Sequence, residues 1–365
     1  MLLENVKYKE VGIGKKGGAR SENKELIVVS GSSGLIGTSL INSLAERYRV
    51  AGLDNVGYPF PPVTAECICI DITSYESMMN AMRRIEYGYG KHIASVIHLA
   101  AYYDFAGKPS ALYDKITVRG TERLLHVLKG FKVDQFIFSS SMLVYKPTVP
   151  GKKITEDSPL DPKWDYPKSK VKTENILHGQ RGDIPVVNLR IAGTYNEKGN
   201  SIPITNQIQR IYENQITSHF YPGDTSHGNV FVHLDDVIDA IVKTVDRRTE
   251  LPEEVTINIG EPETLSYEAL QNMISKAIHG KEWKTYKIPK PIAKAGAWVQ
   301  DIFGDPFIKP WMVDLADDHS EVDITRARQL LGWAPKHSLR ETLPKMIAFL
   351  QSDPAAFYKE NDLKK

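Results

Sequence analysis

The chain has 365 residues, enough for two domains or for one large domain with an elaborated end. A hydrophobic share of 41%, a charged share of 25% and a near balance of 46 Lys and Arg against 45 Asp and Glu exclude disorder, collagen and coiled coil as descriptions of the whole chain. The net charge of +1 gives no bulk attraction to nucleic acid or to an anionic membrane. A local charged patch stays open, and nucleic acid is not expected as a partner.

The sequence predicts a cytoplasmic protein without a membrane span. No secretory signal and no N-x-Ser/Thr sequon is recognised. Cys67 and Cys69 alternate with isoleucines as small strand residues, and they are too few for a disulfide framework or a zinc site. Residues 26–45 carry no charge, but half of them are Ser, Gly, Thr or Asn, which excludes a spanning helix.

Residues 1–24 are polar and rich in Gly and Lys, which predicts a flexible leader. From there to about residue 192, short apolar segments alternate with segments of helical spacing. Fully apolar strands between amphipathic helices predict an α/β fold whose parallel sheet is covered on both faces. The predicted strands are ELIVVSG, YRVAGLD, CICIDIT, SVIHLAA, QFIFSSS and PVVNLRIAG, and the predicted helices lie near 35–47, 73–88, 110–129 and 168–178.

Residues 193–365 alternate less regularly, which predicts a smaller, mixed second domain. We expect its aromatic stretch, between residues 298 and 311, to form core; a hydrophobic substrate lid and a membrane-touching patch are the alternatives. The aromatic residues in that stretch are Trp298, Phe303, Phe307 and Trp311. The predicted helices are SIPITNQIQRIYENQ, FVHLDDVIDAIVKTVDRR, DITRARQLLGW and 339–351, and the predicted strand is VTINIG.

Two glycine patterns differ in their context. A literal G-x-G-x-x-G at residues 12–17 has neither a preceding strand nor a following helix, so we interpret it as accidental. In VVSGSSGLIG, by contrast, a strand turns directly into a helix. Gly31 permits the turn, Gly34 lets a pyrophosphate approach the backbone, and Gly37 lets the helix pack on the strand. This motif predicts a dinucleotide site, with a glycine-rich turn that binds no ligand as the alternative.

Two carboxylates agree with a dinucleotide site. Asp54 ends the second predicted strand, where it can accept hydrogen bonds from both hydroxyls of an adenine ribose. Asp71 ends the third strand, in a position to meet the adenine edge. Either residue alone is also explained as a loop or cap residue. No Arg or Lys follows Asp54 in the next residues, Asn55 to Gly57, so NAD is predicted in preference to NADP.

Tyr166 and Lys170 are four residues apart and therefore share a face of a predicted helix. A tyrosine hydroxyl, with an ordinary pKa of ~10, is a poor base at neutral pH. A neighbouring ammonium favours the phenolate and lowers this pKa toward the working range. The spacing predicts an acid–base pair, and an ordinary surface pair on a helix is the alternative.

Together these motifs resemble the extended short-chain dehydrogenase/reductases, also called the NAD-dependent epimerase/dehydratase family. The resemblance covers about residues 24–350, and its strength lies in nine segments in the family's order. The segments are GSSGLIG at 31–37, DN at 54–55, DIT at 71, HLAA at 98, FSSSMLVY at 138–145, YPKSK at 166–170, LRIAGTY at 189, FVHLDD at 231 and NIGEPETLSYEAL at 258.

The resemblance implies a Rossmann-type doubly wound parallel sheet in an NAD-binding domain at 25–192. It also implies a mainly substrate-binding domain at 193–365, some segments of which return to the first domain. A homodimer formed through the helix of Tyr166 and its neighbour is expected on the same basis. The cofactor contacts implied are Gly31, Gly34, Leu35, Ile36, Gly37, Asp54, Asn55, Asp71, Ile72, Leu99, Ala100, Ala101 and Lys170.

The family's catalytic roles carry over to three residues. Tyr166 is the expected acid and base, and Lys170 is its activator and the anchor of the nicotinamide ribose. Ser141, the last serine of FSSS, is the expected hydrogen-bond donor to the substrate oxygen, with Ser140 and Ser139 as alternatives. No spacing resembles a metal site, a phosphate-binding loop or a Ser-His-Asp hydrolase.

Several positions depart from the family pattern. Met142 and Leu143 stand where nucleotide-sugar dehydratases carry an acid pair, so dehydration is not expected. Gly193 replaces an Asn, and Asn229 an Arg, that contact the diphosphate in sugar-nucleotide epimerases. We therefore expect a substrate that lacks a nucleoside diphosphate; the alternative is that Lys or Arg from elsewhere, such as Arg210 or Lys309, replaces the missing contacts. Thr117 replaces the Asn of the family's N-V-x-G-T segment.

The function predicted from these residues is that of an NAD-dependent oxidoreductase that interconverts a secondary alcohol and a ketone on a small-molecule substrate. The first alternative is a sugar or nucleotide-sugar epimerase with tightly bound NAD. The second is an NAD(P)-binding protein that has lost catalysis, and the intact Ser-Tyr-Lys triad argues against it.

Overall fold

The structure, a computed structural model, describes residues 24–55, 64–104, 107, 109–294 and 313–364. The glycine pattern at 12–17 and the aromatic stretch at 298–311 lie outside these ranges, as does all but the last residue of the predicted leader.

Seven strands of the described chain form one sheet. The strands are β1 (Leu26–Ser30), β2 (Arg49–Asp54), β3 (Glu66–Cys69), β4 (Ser95–His98), β5 (Phe136–Ser141), β6 (Val186–Ile191) and β7 (Glu254–Ile259).

The strand order in this sheet is β7-β6-β5-β4-β1-β2-β3, and every neighbouring pair is parallel. The chain begins in the middle, runs outward through β2 and β3, and then returns to build the other side from β4 to β7. This is the order of a doubly wound Rossmann-type sheet, so the predicted fold class is confirmed.

Helices cover both faces of the sheet and make up most of the C-terminal half. The helices are α1 (Leu35–Leu44), α2 (Tyr75–Tyr89), α3 (Arg119–Leu128), α4 (Asp165–Gln180), α5 (Ile202–Tyr212), α6 (Leu234–Asp246), α7 (Tyr267–His279), α8 (Thr325–Leu331), α9 (Leu339–Ser352) and α10 (Pro354–Glu360).

The alternation of side chains along β1 divides the interior into two cores. Ile27 and Val29 pack into a core shared with α1 and α6, whereas Leu26 and Val28 pack into a core shared with α2 and α3. Because successive strand side chains point to opposite faces, an apolar strand can fill both cores at once.

The strand register brings several chain turns to one edge of the sheet. Ser30, at the end of β1, pairs with Leu53 of β2 and with His98 of β4. The strands are parallel, so Gly31, which follows β1, and Asp54, the last residue of β2, lie side by side at this edge. Ligands of open α/β sheets bind at this carboxyl edge.

A third core lies in the C-terminal half, where α5, α7, α9 and α10 pack together around residues that include Trp283. Strand β7 also comes from this half, but it joins the main sheet beside β6, with Ile259 opposite Ile191. A segment returning to the sheet was expected from the sequence, and the domain boundary at residue 192 stays a prediction.

None of the helices in the described chain is long and apolar enough to cross a membrane. Short strands and turns complete the described chain. Short strands pair His92–Ile93 with Lys132–Val133, Gly193–Tyr195 with Phe231–His233, and Phe220–Tyr221 with Tyr286–Lys287; Tyr113–Val118 is a π-helical turn, and Met142–Val144, Ile216–His219 and Leu315–Asp317 are 3₁₀ turns.

Candidate active site

The turn between β1 and α1 requires glycine at its first position. Gly31 has a φ of +74°, and its amide donates a hydrogen bond to the carbonyl of Leu53 at 2.9 Å. A Cβ at this residue would lie 2.7 Å from the amide nitrogen of Ala100 and 2.9 Å from the carbonyl carbon of Leu99. Both the backbone conformation and the close approach of the loop after β4 therefore exclude a side chain.

The other two glycines of the motif have different environments. A Cβ at Gly37 would lie 2.3 Å from the carbonyl oxygen of Gly31, so the helix packs on the turn only without a side chain there. A Cβ at Gly34 would meet only that oxygen, at an ordinary 3.5 Å. Gly34 is also the N-cap and makes no side-chain cap, which leaves the first-turn amides of Leu35 and Ile36 available to a phosphate. This cradle fits the pyrophosphate of a dinucleotide.

The two predicted adenosine contacts are held differently. Oδ2 of Asp54 accepts a hydrogen bond from the amide of Ser33 at 2.8 Å, which fixes the carboxylate beside the glycine turn. Asn55, the next residue, is exposed. Asp71 is exposed, and its Oδ1 accepts hydrogen bonds from the hydroxyl and amide of Thr73, which lower the pKa of its carboxyl. Asp71 thus stabilises a turn, which agrees with the alternative interpretation of this residue as a loop or cap residue. Its contact with the adenine stays a prediction.

The remaining predicted cofactor contacts lie close to the same edge. Leu99, Ala100 and Ala101 follow β4 and are partly buried next to the glycine turn. The side chain of Ile72 packs on α3, where a Cβ at Gly120 would lie 3.0 Å from it. Their contacts with a cofactor stay predictions.

Ser141 and Tyr166 come together where β5 ends and α4 begins. The Ser141 hydroxyl accepts a hydrogen bond from the amide of Leu143 at 3.2 Å. It lies close enough to the Tyr166 hydroxyl for hydrogen bonding between them to lower the pKa of Tyr166. The rings of Tyr103 and Trp164 pack on that of Tyr166, with centroids 4.9 and 5.5 Å away.

Lys170 lies one helical turn after Tyr166 and is 2% exposed. Its Nζ donates a hydrogen bond to the carbonyl of Ser139 at 2.7 Å. It also lies over two aromatic rings, 4.9 Å from the centroid of Phe138 and 5.4 Å from that of Tyr166. The predicted Ser-Tyr-Lys group is therefore assembled as three neighbours, although its catalytic roles stay predictions.

The protonation of this group differs from the sequence-based expectation. Burial raises the pKa of Tyr166 to about 12, and the hydrogen bonding with Ser141 only partly opposes this rise. Burial lowers the pKa of Lys170 to about 7, against the attraction of the Glu174 carboxylate. The expected decrease in the pKa of Tyr166 is therefore wrong for the chain on its own, because desolvation of the phenolate outweighs the groups that favour it.

A buried ionic network behind the triad was missed by the sequence analysis. Glu174 lies four residues after Lys170 on α4, and its carboxylate accepts a hydrogen bond from the hydroxyl of Ser140 at 2.5 Å. The guanidinium of Arg190 on β6 binds the same carboxylate and also donates to the hydroxyl of Tyr145 at 2.7 Å. Ser140 is thus engaged with Glu174, which leaves Ser141 as the serine next to Tyr166.

A cavity of about 680 Å³ opens beside the triad. Ser141 and Tyr166 line it together with Ile36, which connects the cavity to the first turn of α1. Met142 and Leu143, which take the place of the dehydratase acid pair, are also in its wall. The size is that of a small-molecule site. Ser141 and Tyr166 form the part of the wall where a reaction can occur, and Ile36 forms the part next to the predicted cofactor turn.

The positions that depart from the epimerase pattern line this cavity as well. A Cβ at Gly193 would lie 2.8 Å from the ring of Phe231, so the short strand here has no room for a larger residue unless that ring moves. Asn229 and Arg210 both line the cavity. Arg210 provides a cation that the two substituted positions lack.

Thr117 lies in the π-helical turn that leads into α3, and it is fully buried. Its hydroxyl oxygen accepts a hydrogen bond from the amide of Tyr102 at 3.0 Å, and its carbonyl accepts one from the hydroxyl of Thr121 at 2.7 Å. This residue therefore ties the loop after β4 to the start of α3.

Within the described ranges, His233, Asp235 and His337 have potential ligand atoms within 4.8 Å of one another. The Nδ1 atom of His233 accepts a hydrogen bond from the Asp235 amide at 3.2 Å and so caps α6. The Nδ1 atom of His337 lies 3.2 Å from the carboxylate of Asp236. The two histidines are thus engaged, His233 with the start of α6 and His337 with Asp236.

The chain is similar in sequence to a known protein family and to individual enzymes. A family model described as NAD dependent epimerase/dehydratase family matches residues 27–260. The UDP-glucose 4-epimerase of Vibrio cholerae is 25% identical, over 90% of this chain and 96% of that protein. The 3-beta-hydroxysteroid dehydrogenase of Mycolicibacterium neoaurum is 21% identical, over 88% of this chain and 90% of that protein.

Solved structures resemble the fold along nearly the whole chain. The UDP-glucuronic acid 4-epimerase from Bacillus cereus, in complex with UDP-glucuronic acid and NAD, superposes with a TM-score of 0.68 at 22% identity. The superposition covers 90% of this chain and 99% of that one. At this identity the likeness establishes the fold.

Proposed function

The chain belongs to the NAD dependent epimerase/dehydratase family, and on this basis we propose that it is an NAD-dependent epimerase of a nucleotide sugar. The observation that carries the proposal is the Ser141–Tyr166 pair in the wall of a cavity that also reaches the first turn of α1. The sequence alone placed a dehydrogenase first. The relatives support its epimerase alternative better, because UDP-sugar epimerases occur among both the curated relatives and the solved structures.

The proposed chemistry moves a proton and a hydride at one secondary alcohol. Tyr166 takes the proton of the substrate hydroxyl, and Ser141 donates a hydrogen bond to the same oxygen. When bound, oxidised NAD brings positive charge to the site and accepts the hydride of the carbinol carbon. With the cofactor supplying this hydride chemistry in both directions, inversion of the carbon would end with Tyr166 returning the proton to the substrate oxygen.

Lys170 and the glycine turn supply the binding part of the proposal. Lys170 is held rigidly by its hydrogen bond to Ser139 and can donate further hydrogen bonds to a ribose. The cradle at Gly34 suits a pyrophosphate, and Asp54 suits the adenine ribose. We therefore propose NAD as the cofactor, in preference to NADP.

Product analysis tests the function directly. The NAD-loaded protein is incubated with UDP-glucose, UDP-galactose and UDP-glucuronic acid, and the sugars are followed by proton NMR. We expect conversion of at least one sugar to its epimer without net accumulation of NADH, and no conversion by Tyr166→Phe. If no epimer forms from any of the three, the proposal is wrong for this group of substrates.

A second candidate is the oxidoreductase predicted from the sequence, acting on a less polar secondary alcohol. Two observations favour it: the apolar Met142 and Leu143 in the cavity wall, and the relative that is a hydroxysteroid dehydrogenase. A screen of secondary alcohols and ketones distinguishes the two functions, because a dehydrogenase accumulates NADH in proportion to its product whereas an epimerase does not. A homodimer stays a prediction for either function.

A further inference from the structure

A short pair of strands in the C-terminal half exposes an apolar surface. Phe220 of one strand lies opposite Tyr286 of the other, and their ring centroids are 6.3 Å apart. Phe220 is 40% exposed and Tyr286 is 54% exposed. Ile216, in the 3₁₀ turn that leads into the strand of Phe220, is 74% exposed. Three large apolar side chains are therefore in contact with solvent on one small part of the surface.

The register of the strand determines this exposure. Tyr221, the residue after Phe220, points inward. Its ring stacks on that of Tyr267 with centroids 3.7 Å apart, and its hydroxyl donates a hydrogen bond to the carbonyl of Ala316 at 2.7 Å. Because successive side chains of a strand point to opposite faces, the anchored Tyr221 holds Phe220 outward. Burial of Phe220 would cost the strand these contacts, so the apolar surface belongs to the folded state.

Exposed lysines lie on the same segment as Tyr286. Lys284 and Lys287 flank this tyrosine, and Lys281 precedes Lys284 by three residues. All three lysines are exposed, and none of them forms an ion pair with a carboxylate of the described chain. Their charges are therefore available to an external anionic partner.

The carboxylates around this segment are engaged with other groups. Asp224 accepts hydrogen bonds from the amide and the hydroxyl of Ser226 at 2.9 and 2.7 Å, and the charge of Lys287 acts on it only as a smaller effect. The segment 281–287 therefore keeps an excess of positive charge, although the whole chain is nearly neutral. Three further carboxylates form ion pairs with lysines outside this segment: Glu282 with Lys276 at 3.1 Å, Asp314 with Lys294 at 2.6 Å and Asp317 with Lys290 at 2.7 Å.

We propose that this part of the surface docks the protein reversibly on an anionic lipid membrane. Each lysine next to an anionic bilayer favours binding by about fivefold. The apolar side chains enter the headgroup region, where a tyrosine finds apolar surroundings for its ring and polar ones for its hydroxyl. The proposal goes beyond the proposed function and does not depend on it. The basic patch consists of Ile216, Phe220, Lys281, Lys284, Tyr286 and Lys287.

The size of the basic patch favours a lipid surface over a second protein. A stable protein interface involves roughly 20–30 residues a side, whereas the basic patch has three exposed apolar side chains. Phe220 also lines the cavity of the candidate active site, together with the apolar Pro222 and Leu315. Docking through the basic patch therefore brings an apolar side of the cavity next to the membrane.

Vesicle sedimentation tests the proposal on the full, NAD-loaded chain. The vesicles contain equal amounts of phosphatidylglycerol and phosphatidylcholine, or phosphatidylcholine alone. We expect binding to the anionic vesicles at an ionic strength of ~0.05 M and a loss of about tenfold or more at ~0.5 M, because salt screens exposed charges. Binding to neither kind of vesicle, or equal binding to both, overturns the proposal.

Two double variants assign the binding to the basic patch. Lys284→Glu with Lys287→Glu should weaken binding to the anionic vesicles by more than about tenfold, because two attractive charges become repulsive. Ile216→Ser with Tyr286→Ser should weaken it as well, because less apolar surface enters the headgroup region. All four positions are exposed, so the fold should persist, and thermal unfolding of each variant checks this.

Matched controls come from other faces of the molecule. Lys129→Glu with Lys172→Glu changes the net charge by the same amount at two exposed lysines. Tyr87→Ser removes a ring that is 96% exposed on α2. Both controls should bind the anionic vesicles within about twofold of the unchanged protein, because screening limits the reach of distant charges. A control that loses as much binding as the variants of the basic patch contradicts the proposal.

A second copy of the chain is the other occupant to test. If sedimentation velocity without vesicles shows a dimer that Ile216→Ser with Tyr286→Ser dissociates, the basic patch is an interface between copies and the proposal is wrong. A protein whose oligomeric state is the same with and without these substitutions agrees with membrane docking. None of these measurements uses a sugar or follows turnover, so their outcome is separate from that of the proposed function.

Discussion

The carboxylate of Glu174 accepts two hydrogen bonds from the guanidinium of Arg190, at 3.0 Å from Nε and 2.6 Å from Nη2. Glu174 is on α4 and Arg190 on β6, and both side chains are less than a tenth exposed. With the Ser140 hydroxyl on the same carboxylate, the pair fixes α4, which carries Tyr166 and Lys170, against β5, which carries Ser141.

The first prediction concerns this ion pair. Glu174→Gln leaves the buried guanidinium of Arg190 without its counter-charge, so we expect the free energy of unfolding to fall by about 3 kcal/mol. Urea titration measures the change. Glu253→Gln is the control, since its ion pair with Arg181 is at the surface and should contribute less than about 1 kcal/mol. Equal effects of the two substitutions would contradict the prediction.

The second prediction separates the roles of the triad. Tyr166→Phe removes the hydroxyl but little volume, so we expect turnover to be lost and NAD affinity to be nearly unchanged. Lys170→Ala should reduce both, because it removes the activator and the ribose anchor together. Lys172→Ala, an exposed lysine on the same helix, is the matched control and should change neither. Full turnover in Tyr166→Phe would refute the mechanism.

The third prediction separates folding from binding within the glycine turn. Gly37→Ala puts a Cβ 2.3 Å from a carbonyl oxygen, so we expect a large decrease in thermal stability. Gly34→Ala meets only an ordinary contact at 3.5 Å, so the fold should persist while NAD binding weakens. Thermal unfolding and NAD titration of both variants check this, and unchanged NAD binding in Gly34→Ala would place the pyrophosphate elsewhere.

The fourth prediction concerns the choice of cofactor. We expect the protein to bind NAD more tightly than NADP, because the Asp54 carboxylate repels a 2′-phosphate. Asp54→Ala should narrow the difference. Asp71→Ala should leave the ratio of the NAD and NADP affinities unchanged, since the Asp71 carboxylate lies on a turn formed with Thr73. NADP binding as tight as NAD binding in the unchanged protein would show that Asp54 does not face the ribose.

The fifth prediction follows from the buried lysine. The pKa of Lys170 falls from 10.5 in the unfolded chain to about 7 in the folded one, so the unfolded chain binds the extra proton between these values. Stability should therefore rise with pH in this window. Lys170→Met removes the titrating group, so this variant should be stabilised relative to the unchanged protein, most strongly below pH ~7. The difference in the free energy of unfolding should shrink toward pH ~10, by about 1.4 kcal/mol per unit of pKa difference. A pH-independent difference in urea titrations would contradict this.

Sequence patterns were sufficient for the parts of the site that depend on local spacing. Gly31, Gly34 and Gly37 were identified from a strand that turns directly into a helix, and Tyr166 and Lys170 from one helical turn. Ser141 was placed first from the family resemblance, but the exclusion of Ser140 could not be derived from the sequence. It depends on Glu174, which the four-residue spacing from Lys170 could have suggested.

Features that depend on contacts between distant segments could not be predicted in this way. Arg190, for example, reaches Glu174 on α4 from the strand β6. The direction of the Tyr166 pKa shift was also out of reach, because spacing indicates a neighbouring charge but does not measure burial. The sequence did predict the sheet, since its apolar strands and amphipathic helices alternate regularly up to about residue 192.

The position of β7 has a consequence for the chain as it is synthesised. Strand β6 has β5 on one side and β7 on the other, yet Glu254, the first residue of β7, leaves the ribosome well after Ile191, the last residue of β6. Until then the nascent chain has an edge strand of sequence VVNLRI, fully buried in the finished fold, with its main-chain groups open on one side. Such an edge pairs readily with other extended chains, so a polypeptide that stops before Glu254 is expected to aggregate even though its glycine turn and Ser-Tyr-Lys group are complete.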